Sequence, residues 1–326
     1  MDRTKFHLLQ DILVIALCAM ICGAEGPTAI AEYAQDKHEW LKTFLSLPNG
    51  IPSHDTIGRL IALIDPQQFR SCFLRWIDQI CQLLPGEVVA IDGKTLRHSF
   101  DTELEQSPIH IVSAWATSNR VVLGQIKVND KSNEITAIPE LIDALDITDC
   151  IITIDAMGCQ KQIASDIRAK DADYALALKR NQGRLFTEVH DLFEHSRAAL
   201  SAQSRLDYYE TIDQAHGRRE VRRYWTTDAI EGLSTKEQWV GLQSVGMVET
   251  ERTLAGETTR EQRFYILSVP SNARTFGRAV RWHWGIENTV HWILDVVFRQ
   301  AERIGETEVV RPARPARISS PARSPC

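Results

Sequence analysis

Residues 87–97 read EVVAIDGKTLR, and residues 150–160 read CIITIDAMGCQ. Each is a short apolar run that reaches an aspartate, Asp92 in the first and Asp155 in the second. Runs of this length, rich in Val and Ile, predict buried strands. An acid at the tip of a buried strand is costly unless it is paired or binds a cation. Far downstream, Glu287 lies in RWHWGIENTVHW, an aromatic stretch that reads as helix. Two strand-tip aspartates and a helix glutamate can form a cage of oxygens for Mg²⁺, an ion usually held by one or two carboxylates plus substrate phosphates. The pattern points to phosphoryl transfer on a phosphate-rich substrate, with DNA the first candidate. Taken alone, Asp92-Gly93 also reads as a turn pair.

The surroundings of these strings set the fold class. IHIVSAWATSNRVVLGQIKV reads as two strands joined at Ser118-Asn119. A helix (EITAIPELIDALD), the strand at 150–156, a second helix (KQIASDIRAKDA) and a strand (DYALALK) follow. The order β-β-β-α-β-α-β predicts a mixed α/β sheet covered by helices. It matches the ribonuclease-H-like order, in which the first and fourth strands lie side by side, so the topology itself would join Asp92 to Asp155.

On this reading residues 86–190 are the first part of the core and 191–268, with short polar strands, a β-rich insertion. Residues 269–300 are the core helix carrying Glu287. Residues 1–85 read as an all-helical N-terminal domain. HLLQDILVIALCAMI is apolar nearly all round, which predicts a central helix. Ser53 is a good N-cap and Pro66 a helix start. Short helices with tight turns fit a helix-turn-helix DNA reader as well as a plain bundle. Residues 301–326, rich in Pro, Arg and Ser, read as disordered.

The 326 residues are 44% hydrophobic and 25% charged, an ordinary globular composition long enough for two or three domains. The net charge of -6 argues against an overall basic DNA binder and leaves room for local basic patches. The 7 cysteines form no CxxC pair, which speaks against a zinc site or disulfide framework and fits a reducing cytoplasm. The apolar run at 12–24 is shorter than the ~20 residues a membrane span needs. No cleavage pattern of a signal peptide follows it.

AIDGKTLR around Asp92, IITIDAMGCQ around Asp155, ALALKRNQ at 175–182 and HWGIENTVHWILDVVF around Glu287 make the chain resemble the DDE-type insertion-sequence transposases, in the branch with the H-repeat-associated proteins. The resemblance covers roughly residues 5 to 300. It implies a ribonuclease-H-like core, a β-rich insertion before the last catalytic carboxylate, and metal-dependent cutting and joining of DNA. Asp92 would bridge two ions, Mg²⁺ or Mn²⁺, with Asp155 and Glu287 each holding mainly one. The partner implied is double-stranded DNA, as terminal inverted repeats and target, with a dimer on the DNA to join two ends.

Basic side chains supply most sequence-independent DNA affinity. The candidates for phosphate contact are Lys94 and Arg97 after Asp92, and Lys179, Arg180 and Arg184 after the last core strand. Arg218, Arg219, Arg222 and Arg223 follow in HGRREVRRYW, where strand alternation would split them between faces. His291 shares the helical face of Glu287, where it would orient Glu287, contact DNA or serve structure alone.

There are departures from the family. Relatives often carry a tyrosine and an arginine at the positions of Val280 and His283, and a lysine at that of Leu294. After Phe298 the composition changes abruptly, as a frame shift or truncated element would produce. A decayed, inactive DNA-binding remnant and a host-type nuclease on the same core therefore stay open as alternatives.

Overall fold

A computed structural model of the chain describes residues 6–95, 108–128, 133–215 and 217–294. The helices α1 (Leu9–Ile21), α2 (Pro27–Asp36), α3 (His38–Leu41), α4 (His54–Leu63) and α5 (Pro66–Ile80) come first. Next are β1 (Val88–Thr95), β2 (His110–Ala116), β3 (Val121–Val128), α6 (Glu134–Ala144), β4 (Ile151–Ile154), α7 (Lys161–Ala169) and β5 (Asp173–Leu178). The chain continues through α8 (Gly183–Ala202), β6 (Leu206–Ala215), β7 (Arg218–Thr227), β8 (Ser244–Leu254), β9 (Glu257–Leu267) and α9 (Ala273–Ile286). A π-helical turn, Glu287–His291, extends α9.

One sheet of nine strands runs in the order β3-β2-β1-β4-β5-β9-β8-β7-β6. β1 pairs antiparallel with β2 and parallel with β4, and β4 pairs parallel with β5. That is the ribonuclease-H-like order expected from the sequence. The strands after α8 do not form a separate body. β9 returns to pair antiparallel with β5, Ala175 opposite Leu267, so the insertion prolongs the core sheet.

Alternation along β1 divides the core. Val89 and Ile91 pack with Ile138 and Leu141 of α6 and Ile163 of α7 on one face. Val88 and Ala90 pack on the other face, under Phe276, Val280 and Ile286 of α9. These β-branched runs are buried on both sides, as parallel strands between helical layers must be. The same parity carries Asp92 to the α9 face.

The helices before β1 divide between two cores. α1 to α4 pack on one another through Ile15, Ala19, Ala34, Leu41 and Ile57. Ser53 caps α4, its Oγ accepting the Thr56 N–H at 3.3 Å. Asp65 caps α5, and Pro66 occupies the first turn. α5 sends Ile77, Phe73 and Leu74 into the sheet's core. α1 to α4 thus share a core of their own, while α5 also packs on the sheet.

The expectation that α1 is a central helix needs correction. It buries Ile12, Ile15, Ala16 and Ala19, whereas Leu9, Leu13, Leu17, Met20 and Ile21 face outward. Its one acid, Asp11, turns inward and accepts the Leu47 N–H at 2.9 Å. Among the described residues, no helix is long and apolar enough to cross a membrane.

Candidate active site

Ile91 of β1 lies opposite Ile154 of β4 in the parallel register, so Asp92 and Asp155 are each one step beyond that rung. Both side chains take the α9 side. Ala90, two residues before Asp92, touches Ile286 and Val290. Thr153, two residues before Asp155, has its Oγ1 3.0 Å from His283 Nδ1 on α9. Glu287 caps the last turn of α9 and lies at the exposed rim of this corner. Asp92-Gly93 sits inside β1 and is no turn.

Asp92 has weak support for its charge. Its Oδ1 accepts the Gly93 N–H at 2.9 Å, and His291 Nδ1 stands 3.7 Å from its Oδ2. Burial is the largest influence on its carboxyl, and the nearby charges of Glu287, Asp155 and Glu134 add to it. Together they push its pKa up to about 7. Burial also raises Glu287, Asp155 adds to the rise, and Arg263 opposes it. Three acids close enough to repel one another cost free energy in water-poor surroundings unless a cation joins them.

The second acid is held more firmly. Asp155 Oδ1 accepts the Met157 N–H at 2.9 Å and the Gly158 N–H at 3.3 Å. The loop it turns is tied to the end of β5. Asn181 Nδ2 donates to the Ala156 carbonyl at 2.6 Å, and Gln182 Nε2 to the Cys159 carbonyl at 3.0 Å. The Asn and Gln of ALALKRNQ thus serve as tethers for the Asp155 loop, which composition alone could not reveal.

Gly93 has a steric reason. A Cβ there would lie 2.1 Å from Glu134 Oε1. Glu134 pairs with His110, Oε1 to Nε2 at 2.5 Å, and His110 Nδ1 lies 2.7 Å from Thr95 Oγ1. This polar chain braces the outer end of β1 beside Asp92, and nothing in the local sequence announced it.

His283 lies one helical turn before Glu287 on α9. Burial away from water lowers its pKa to about 4, against the smaller upward pull of Asp155 and Thr153, so near neutral pH it carries no charge. Arg263 of β9 is a cation that acts on both Glu287 and His283. Its guanidinium lies 4.6 Å from the ring of Trp284. The sequence reading missed Arg263, because only the pairing of β9 with β5 carries it to this corner.

The candidate DNA contacts separate into two groups. Lys179, Arg180 and Arg184 are exposed and follow β5, whose C-terminal end lies on the same edge as those of β1 and β4. Arg184 also pairs with Glu188. Lys94 turns inward, its Nζ donating to the His291 carbonyl at 2.9 Å. It thereby ties β1 to the π-helical turn, and His291 stands over Asp92 rather than out toward solvent.

The arginines of β7 are largely committed to acids. Arg223 meets Glu210 and Glu249 at 3.1 Å and Glu251 at 3.3 Å. Arg222 and Arg218 both bond Glu220, and Arg222 reaches Asp213 as well. Arg219 is exposed. Arg97, residues 301–326 and the compositional break after Phe298 lie outside the described residues.

No group of three or more His, Cys, Asp or Glu side chains among the described residues is arranged to hold a metal ion by itself. The donor chemistry nonetheless fits one. Hard carboxylate oxygens side by side on neighbouring strands, one of them destabilised by burial and like charges, suit Mg²⁺ or Mn²⁺ with water and substrate phosphate completing the shell.

A ribonuclease-H-like sheet with acids on the neighbouring ends of its first and fourth strands defines a class of phosphoryl-transfer proteins. Comparison with known proteins narrows it. Residues 84–308 match the family described as "Transposase DDE domain", and residues 1–77 match its associated region, "DDE_Tnp_1-associated". The chain belongs to the DDE transposase family of insertion sequences.

It is 41% identical over 299 residues to "H repeat-associated putative transposase YhhI" of Escherichia coli K12, covering 90% of this chain and 78% of that one. It is 41% identical over 304 residues to "Putative transposase YncI" of Escherichia coli O157:H7, covering 91% and 77%. It also resembles "Inactive transposase YbfQ" of Escherichia coli K12, at 43% identity over 56 residues, 17% of this chain and 67% of that one. Among solved structures, "Cryo-EM structure of piggyBac transposase synaptic complex with hairpin DNA (SNHP)" aligns with a TM-score of 0.41 at 11% identity, over 90% of this chain and 61% of that one.

Proposed function

We propose that this chain cuts DNA at the ends of its own element and joins the freed ends to target DNA, with Asp92, Asp155 and Glu287 as its catalytic acids. The observation that carries the reading is the register of β1 and β4. It sets two aspartates side by side on neighbouring strands beneath the helix that bears Glu287. Asp92, Asp155 and Glu287 would hold one or two divalent ions, Mg²⁺ or Mn²⁺. When bound, such ions stabilise the attacking and leaving oxygens of an in-line displacement at phosphorus.

The protein's own part is positioning. The Met157 and Gly158 amides aim Asp155, and the Gly93 amide and His291 aim Asp92. Glu287, at the rim, is the acid best placed to meet an incoming strand. Lys179, Arg180 and Arg184 would lie along the phosphates that approach this edge, and Arg263 supplies positive charge beside Glu287. Double-stranded DNA, both element ends and target, is the substrate of this reading, and joining two ends calls for two copies on the DNA.

The test is cleavage of a fragment carrying the gene's own flanking sequence, in Mg²⁺ and in Mn²⁺, by the wild-type chain and by Asp155→Ala. The reading expects metal-dependent cutting at the element boundary that Asp155→Ala loses while still binding DNA. Equal cutting by Asp155→Ala would refute it.

A further inference from the structure

α1 has a second face that nothing among the described residues covers. Leu9, Leu13, Leu17, Met20 and Ile21 recur at helical spacing and form one stripe. Each is between 41% and 76% exposed. No charged side chain interrupts the stripe, since Asp11, the one charged residue of α1, is buried. Helices on a water-facing surface normally set charged residues opposite the core, and a helix apolar on every side is a covered one. Contiguous exposed apolar surface of this kind marks a contact site.

We propose that this face is the interface between two copies of the chain, α1 packing on α1 across a two-fold axis. A two-fold contact brings one patch against its own image, so a charge on the patch would meet a like charge. The α1 stripe carries none, and it can meet itself without that penalty. The two stripes together would remove on the order of 1,000 Å² of apolar surface from water, the ~1,000 Å² that a specific interface should clear. A lipid occupant does not fit: the 13 residues of α1 span ~20 Å, short of a ~30 Å hydrocarbon core, and α1 has no Lys or Arg to meet a headgroup surface. The assignment stands apart from the catalytic reading, because two copies should associate without DNA or metal.

The experiment is sedimentation velocity of the full chain across a range of micromolar concentrations, for wild type and for Leu13→Glu with Leu17→Glu. Both leucines point away from the bundle core, so circular dichroism and melting temperature should be kept. Wild type is expected to sediment as a dimer. The double variant, which sets four carboxylates against one another across the axis, should weaken dimerisation at least ~100-fold. In a second arm, Leu17→Cys under mild oxidation should cross-link copy to copy through position 17, as read by peptide mass mapping.

A wild-type monomer at tens of micromolar would overturn the proposal. So would a dimer that survives both substitutions. A monomer whose α1 face resists labelling would place that face on its own chain and overturn the proposal equally.

Discussion

Asp92 and Glu220 lie on the same face of the same sheet, and their surroundings are opposite. Glu220, 2% exposed, bonds Arg218 and Arg222 and has Arg252 at 3.7 Å. Asp92, also mostly covered, has one backbone amide, one histidine at 3.7 Å and three other acids acting on it. The first acid is neutralised by its own fold. The second is left with a charge that something from outside must balance. Burial alone therefore does not mark a catalytic acid; the sign of its neighbours does.

The contrast can be broken most forcefully at Glu220. Glu220→Gln leaves three guanidiniums crowded with one acid fewer among them. Breaking a buried pair in this way should cost ~3 kcal/mol. Urea unfolding should show the loss at unchanged slope, while metal-dependent cleavage at permissive temperature stays near wild type. Unaltered stability would mean that the arginine cluster does not depend on its acid.

Gly93→Ala comes next. Its Cβ would overlap the Glu134 carboxylate, which His110 holds in place, so either β1 or the Glu134-His110 pair must shift. Overpacking of this kind costs ~2 kcal/mol. Because the displaced strand end carries Asp92, cleavage should fall further than stability does. A variant with wild-type melting and cleavage would remove the steric account of Asp-Gly.

Much of this was legible in the sequence, and the reasons are local. Apolar runs ending in Asp92 and Asp155 fix strand identity, and the order of elements places those strands side by side. Ser53 and Pro66 announce helix starts through capping chemistry that acts within a turn. What escaped the reading depends on register between distant strands. Arg223 finds Glu249 and Glu251 on β8, 26 and 28 residues away, so a basic string in the sequence becomes an ion-pair network in the fold. Arg263 reaches Glu287 only because β9 returns to β5. Glu134 behind Gly93 depends on where α6 begins, which no spacing rule predicts. The outer face of α1 was misread because an all-round apolar helix signals cover without saying whose.

A smaller effect, of opposite sign, belongs to Asp92 itself. Its folded pKa is raised from the ordinary value near ~4 to about 7. In metal-free protein its contribution to stability is fully present below about pH 4 and is lost as pH rises toward 7. Asp92→Asn should flatten this part of the pH–stability curve and raise the metal-free melting temperature at neutral pH by a few degrees. A curve of unchanged shape would show that the neighbouring acids do not burden Asp92.

The smallest expected change is in DNA affinity. Lys179→Ala should weaken binding uniformly across sequences and lower the salt dependence by about one phosphate contact. Arg223, already held by three acids, should alter the salt slope less. The reverse ranking would assign the DNA to the β7 side of the sheet.

The most direct test neutralises one acid of each kind and reads two properties together. Melting temperature and Mg²⁺-dependent cleavage of the gene's flanking DNA would be measured for Asp155→Asn and Glu220→Gln. The account predicts a crossed result. Asp155→Asn keeps its melting temperature and loses cleavage by ~10³-fold or more, because charge stabilisation worth several kcal/mol is gone. Glu220→Gln melts lower and still cuts. If instead Asp155→Asn cuts normally, the carboxylate corner is not the catalytic centre and the central claim fails.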